Sequence, residues 1–170
     1  IGRLVPQIVY YVYAYSQLVK KGEIQSGEKI DVCVPTGNFG NILAGFYAKK
    51  IGLPIDHLIC ASNQNHVLTD FFQTGNYNKK RPFYVTTSPS MDILVSSNLE
   101  RLLFEVTCSH EKVNKWMKDL KDVGKFEVDT ETKENLKNFY GYSCDSQTAA
   151  ERIKEVFEAE SYLMDTHTAV

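Results

Sequence analysis

Hydrophobic positions along this chain fall into short runs separated by polar segments rich in glycine, asparagine and proline, and the spacing inside each run selects helix or strand. Residues 4–21, with Pro6 in the first turn and Lys20-Lys21-Gly22 at the end, read as a buried helix. Proline needs no N–H partner in a first turn, and a basic last turn followed by glycine closes a helix. The tyrosine-rich middle favours strand, but the length favours helix. Residues 30–34, IDVCV, form a short β-branched run expected to be a strand covered on both faces. Residues 41–51 form a helix pattern ended by Gly52 and Pro54, and residues 57–61, HLICA, a second buried strand. Strand, helix and strand within about thirty residues make a parallel βαβ unit.

Further along, residues 65–74 read as a short helix ending at Gly75, followed by a polar loop, NYNKKRP, and an extended stretch at 83–86. Ser97 and Glu100 have capping-box spacing and start a helix through about residue 106. Val113, Trp116, Met117 and Leu120 lie on one face of a helix. Asp145 is an N-cap for a helix whose apolar positions are Ala149, Ile153, Val156 and Phe157, and residues 162–164 read as a last short strand. The expected fold class is α/β, a parallel sheet flanked by helices, with ligands at the carboxyl ends of the strands. No repeat or linker divides the 170 residues, so residues 1–170 are expected to form a single α/β domain.

Composition narrows the function classes. The formal charge is -2, from 19 Lys+Arg against 21 Asp+Glu, which gives no basic field for nucleic acid and no polybasic membrane patch. The four cysteines have no C-x-x-C pair, and Cys33 and Cys60 lie in apolar runs, as expected of buried thiols in a reducing, cytoplasmic setting. The apolar run at residues 8–19 is too short to span a bilayer. Without an initiator methionine, the chain opens directly into a helix pattern, as expected of a piece of a longer polypeptide.

The stretch VPTGNFGN, residues 34–41, carries the most chemistry. Gly37 and Gly40 permit positive φ and close backbone approach, so consecutive N–H groups can converge on one anion. The helix beginning near Asn41 adds its own unpaired amides and positive dipole end, while Thr36, Asn38 and Asn41 bring further donors. The loop lacks the Gly-Lys-Ser/Thr ending of an ATP-type phosphate loop and does not match G-x-G-x-x-G. A tight strand-to-helix turn without a ligand is the alternative. The ending DTHTAV puts the Thr168 hydroxyl after a strand, facing a pocket or closing a capped turn. Asn63 and Asn65 follow a strand end, and Ser88 and Ser90 flank a proline turn; cleft position makes these four candidates for substrate contacts. His110-Glu111 fails as a zinc motif because position 114 is asparagine, and no metal site or nucleophile triad can be assembled.

The stretches IGRLVPQIVYY, VPTGNFGNILAG, ICASNQNHVLTDFFQTG, SPSMDILVSSNLERLL and DTHTAV, in this order, resemble the carboxyl-terminal part of the threonine synthase family. The resemblance implies part of the larger pyridoxal-phosphate-binding domain of a fold type II enzyme. It also implies conversion of O-phospho-L-homoserine and water to L-threonine and phosphate. By the same resemblance Thr36, Gly37, Asn38, Phe39, Gly40 and Asn41 hold the phosphate of pyridoxal 5'-phosphate, and Thr168 meets its pyridine nitrogen, which a neutral hydroxyl would leave largely unprotonated. The family's Schiff-base lysine lies in a Ser-Phe-Lys-Asp stretch absent from these residues, so no catalytic residue is assigned and the chain alone is expected to be inactive. Thr166 stands where the family has proline, which frees one φ in that turn. A β-replacement enzyme of the same fold, or a non-catalytic phosphate-ligand module, fits the loop as well.

Overall fold

The computed structural model describes residues 2–170. Helix α1 (Leu4–Lys21) closes on Gly22, whose left-handed backbone (φ 75°) lets its N–H reach the Leu18 and Val19 carbonyls. Strand β1 (Ile30–Pro35), helix α2 (Gly40–Lys50) and strand β2 (Ile55–Ser62) then form the parallel βαβ unit, with Val34 opposite Cys60 and Pro35 opposite Ala61. Helix α3 (Val67–Thr74) leads into strand β3 (Asn76–Asn78) and, after a 3₁₀ turn at Pro89–Met91, to helices α4 (Leu99–Thr107) and α5 (His110–Asp122). Strand β4 (Lys125–Glu127), helix α6 (Thr130–Asn135), strand β5 (Phe139–Ser143) and helix α7 (Ser146–Glu160) complete the order. The main sheet runs β1-β2-β5, all parallel, and β3 pairs antiparallel with β4 in a second small sheet.

The α/β class with a parallel sheet flanked by helices is the one expected. Several details are not. Strand β1 is not covered on both faces: Asp31 and Cys33 are exposed while Val34 is buried. In register, Asp31, Cys33, His57, Ile59, Tyr140 and Tyr142 share that open face, and Tyr142 is 60% exposed. Cys33 is therefore not a buried thiol, although Cys60 is, and burial pushes the Cys60 thiol up to about 12. Helix α1 is not buried either. Only Leu4 and Tyr15 are, while Val5, Val9, Tyr10, Val12 and Tyr13 face solvent. Residues 162–164 form no strand but lead, irregular, into the final turn.

The Ser97–Glu100 capping box is also absent. Asn98 occupies the cap position of α4 and gives its side-chain amide to the Asn38 carbonyl at 2.7 Å, a contact across sixty residues that a local motif does not contain. Asp145 does cap α7, accepting the Thr148 N–H at 2.8 Å.

Two packing events set the frame for the cleft. Phe39, fully buried, stacks near Phe72 and Phe139 with ring centroids 5.8 and 5.9 Å away, tying the turn after β1 to α3 and β5. Gly141 lets α3 lie directly on β5, since a Cβ there would meet Thr69 Cα at 2.7 Å. Thr69 Oγ1 and Gln73 Nε2 then donate to the Tyr142 and Gly141 carbonyls at 2.8 and 3.0 Å.

Candidate functional site

Strand β1 ends at Pro35, and the chain must turn back at once to let α2 cover the sheet. That turn is residues 36–39, and its peptide groups are sorted by direction. The Gly37 carbonyl accepts the Ser96 hydroxyl at 2.9 Å, and the Asn38 carbonyl accepts both the side chain and the N–H of Asn98. In a trans peptide the N–H points opposite to the C=O. Anchoring those two carbonyls on the segment before α4 thus turns the Asn38 and Phe39 amides away from it.

Among the described residues, the backbone N–H groups of Gly37, Asn38, Phe39, Gly40 and Asn41 have no hydrogen-bond acceptor in the chain. Five successive free donors stand at the amino end of α2, where the helix dipole is positive, an arrangement that can receive an oxyanion.

The glycines serve this turn differently from the expectation. Neither Gly37 nor Gly40 has positive φ; the left-handed residue is Phe39, at φ 65°. That conformation is uncommon for a bulky residue, and burial of its ring supports it here. Gly37 is required by proximity, because a Cβ would stand 2.9 Å from the Ser90 carbonyl oxygen and 3.1 Å from Met91 Cα.

The amides open into a cleft of about 460 Å³ lined by Gly37, Asn38, Gly40, Asn41, Ser90 and Thr168, with Asp165 and His167 on the same wall. Gly37, Asn38, Gly40, Asn41 and Thr168, distant in sequence, are thus gathered around one space, whereas Phe39 is not part of the lining and its side chain is fully buried. Thr36 is not part of the lining: its hydroxyl is buried and donates to the Val34 carbonyl at 2.6 Å. Asn41 donates its side-chain amide to the Pro35 carbonyl and accepts the Ile42 N–H, so it shapes the turn. A larger groove of about 570 Å³ lies between α1, α4 and α5, but its walls are mainly apolar.

The four candidates for substrate contacts separate. Ser90 lines the cleft, and its N–H donates to His167 Nε2 at 3.3 Å. Asn63, Asn65 and Ser88 are 2%, 4% and 1% exposed and lie in a closed hydrogen-bond network. Asn63 Nδ2 reaches the Asp92 carboxylate at 2.8 Å and Ser88 Oγ at 3.0 Å. Asn65 bonds both the Tyr84 carbonyl and the Tyr84 N–H, and Thr86 donates to Asp92 twice. Burial acts to raise the Asp92 pKa, but these donors outweigh it and hold the carboxyl below the usual carboxylate range. The network fastens residues 84–92 to the carboxyl end of β2, and so fixes the Ser90–Met91 wall against Gly37.

Asp165 and His167 lie in the DTHTAV stretch and Asp92 beside SPS, but no residue pattern marks their roles. Asp92 draws on Asn63 and Asn65 and His167 on Ser90, partners that only the fold supplies, whereas Asp165 is bonded by His167 and Thr168 of its own turn. The Asp165 carboxyl accepts the Thr168 hydroxyl and the His167 and Thr168 N–H groups, which hold it down at about 2. Among the described residues no group of His, Cys, Asp and Glu is arranged to hold a metal, and no helix is long and apolar enough to cross a membrane.

Comparison with known proteins follows the same lines. No protein-family model matches the chain. Human threonine synthase-like 1 is 45% identical over 99% of the chain, and the threonine synthase of Saccharomyces cerevisiae is 38% identical over 99%. The chain spans 23% of the first of these proteins and 35% of the second. Among solved structures, PLP-bound threonine synthase from Brucella melitensis superimposes with a TM-score of 0.91 at 38% identity, over 98% of this chain and 35% of that one. Yeast threonine synthase gives 0.88 at 38% identity, over 96% and 34%. Over nearly all its length, then, the chain is homologous to a segment of the threonine synthases that amounts to about a quarter to a third of those proteins.

Proposed function

We propose that the cleft beside α2 binds pyridoxal 5'-phosphate and that the chain supplies this half of the active site in a threonine synthase-type lyase. The observation that carries the reading is the run of five unpaired amides at residues 37–41, of which Gly37, Asn38, Gly40 and Asn41 line the same space as Thr168. The fit is geometric: Gly37 leaves room for nothing larger against Ser90, so the backbone itself forms the cradle.

In this reading the amides of residues 37–41 hold the phosphate, with the α2 dipole adding to them, and Thr168 Oγ1 faces the ring nitrogen. The Asn63–Asp92 network keeps Ser90 and Met91 fixed as the opposite wall. Asn63, Asn65 and Ser88 act from behind that wall, and Ser90 alone of the four is placed to touch substrate. Thr36 supports the turn from within. When bound, pyridoxal phosphate supplies an electron-withdrawing ring that delocalises negative charge developing on substrate carbon.

No lysine lines the cleft among the described residues, and no Ser-Phe-Lys-Asp stretch occurs in the sequence. We therefore place the catalytic amine in a longer protein, of which residues 1–170 form one α/β unit in the cytoplasm. The substrate there is O-phospho-L-homoserine, which with water gives L-threonine and phosphate.

Calorimetric titration tests the binding half. Pyridoxal 5'-phosphate is expected to bind at least tenfold more tightly than pyridoxal, which lacks the anionic tail. Equal affinity for the two would refute the phosphate assignment. The chain alone, given O-phospho-L-homoserine and cofactor, is expected to release no phosphate; turnover would disprove the placement of the catalytic amine elsewhere.

A further inference from the structure

Asp165 serves three donors of one turn. Its Oδ2 accepts the Thr168 hydroxyl at 2.5 Å, and its Oδ1 accepts the His167 N–H at 2.9 Å and the Thr168 N–H at 3.3 Å. With its carboxyl held at about 2, first by the Thr168 hydroxyl, Asp165 is ionised throughout the neutral range. A hydroxyl carries one proton and two acceptor lone pairs. A hydrogen bond to a carboxylate is roughly twice as strong as one between neutral partners. A neutral ring nitrogen entering the cleft therefore competes poorly for the Thr168 proton, and Oγ1 meets the occupant as an acceptor.

The other titratable group lining the cleft is His167. Its Nε2 accepts the Ser90 N–H at 3.3 Å, which puts the ring proton on Nδ1, 3.3 Å from Asp165 Oδ1. Nε2 is thereby engaged with Ser90 and is not available to Thr168. The partial positive charge of the α2 amino end lies at the amides, where the oxyanion is expected.

We propose that Asp165 is a positioning residue that fixes the polarity of the cleft at Thr168, making its hydroxyl an acceptor and so selecting an occupant that carries a proton there. For pyridoxal phosphate that occupant is the form with a protonated ring nitrogen, the opposite of what a lone neutral hydroxyl would favour. The inference rests on the reading above that the cofactor's ring nitrogen faces Thr168.

The test is nuclear magnetic resonance of pyridoxal 5'-phosphate labelled with ¹⁵N in the ring, bound to the chain and titrated with pH, with ³¹P resonance reporting the phosphate in the same sample. The ring nitrogen on the unaltered chain should keep its proton to a pH about one unit higher than on Asp165→Asn or Thr168→Val. Thr168→Ser, which keeps the hydroxyl, should restore the unaltered midpoint, while the ³¹P signal stays in its bound position throughout. A bound phosphate with the same nitrogen midpoint in Asp165→Asn as in the unaltered chain overturns the role of Asp165 and leaves the cofactor reading standing. A ³¹P resonance that never leaves its free position overturns both.

Discussion

Gly37 has no space for a side chain, and the obstacle is backbone on the opposite wall. A methyl group there would need Ser90 and Met91 to retreat, and the Asn63–Asp92 network holds them in place. Gly37→Ala is expected to cost about 1–3 kcal/mol of stability from overpacking. It should also weaken pyridoxal 5'-phosphate binding at least tenfold, read by denaturant titration and calorimetry on the same sample. Phe39 has the opposite problem. Its backbone is left-handed and its ring fully buried against Phe72 and Phe139, so the ring maintains an unfavourable φ. Phe39→Ala is expected to destabilise by about 3–5 kcal/mol. A loss below 1 kcal/mol in urea unfolding would mean that the ring does not brace the turn.

At the scale of elements, the helix caps separate what is local from what is not. Asp145 accepts the Thr148 N–H across three residues, a pattern legible in sequence, and Asp145→Ala should lower the urea unfolding midpoint measurably. Ser97→Ala, which the capping-box spacing alone would make equally costly, should stay within about 0.5 kcal/mol, because no capping bond forms there.

Asp129, the cap of α6, adds a pH dependence. The N–H and hydroxyl of Thr132, then Lys112, pull its carboxyl down to about 2, from an ordinary value of 3.8. A depressed carboxyl stabilises the fold fully above its unfolded value. The contribution falls as the pH drops through that value toward about 2, where the folded carboxyl is also protonated. Asp129→Asn should therefore flatten the acid limb of the stability profile between pH 4 and pH 2 and change its slope little near neutrality. An unchanged acid limb would refute the role of this cap. Strand β5 belongs to the same scale. Its alternation of Phe139 and Gly141 with Tyr140 and Tyr142 places a glycine on the packed face, where composition alone sees a weak strand. The close approach of α3 gives that glycine its purpose.

Over the whole molecule, helices pack on the sheet face that carries Leu58, Cys60, Phe139 and Gly141, while Cys33, Tyr140 and Tyr142 on the other face remain accessible. Helix α1 adds a second accessible strip, with Val9 61% and Tyr13 63% exposed. Apolar surface of this kind is a liability in an isolated chain. Sedimentation velocity should show concentration-dependent association, reduced by Val9→Lys combined with Tyr13→Lys while the circular dichroism spectrum is kept. Association of equal strength in the double variant would exclude α1 as its cause. The parallel sheet explains why the cleft lies where it does. Parallel strands place their carboxyl ends together, so the turn after β1 and the loop after β2 meet there, and the carboxyl-terminal turn closes over the same edge.

The order of residues alone determined what depends on neighbours within a few positions: the limits of α1, the β1–α2–β2 unit, the Asp145 cap, and a glycine- and asparagine-rich turn whose main resource is backbone N–H groups. Helical and extended periodicities and turn chemistry are local, so they survive without a fold. Only the tertiary structure decided which carbonyls of that turn are taken by Ser96 and Asn98, that Phe39 rather than a glycine turns left-handed, and that Asn63, Asn65 and Ser88 stand behind the cleft. It also brought Asp165 and Thr168 into one cleft with Gly37, Asn38, Gly40 and Asn41. Hydrogen-bond direction and burial are set by partners tens of residues away, and a linear pattern carries no record of which partner arrives.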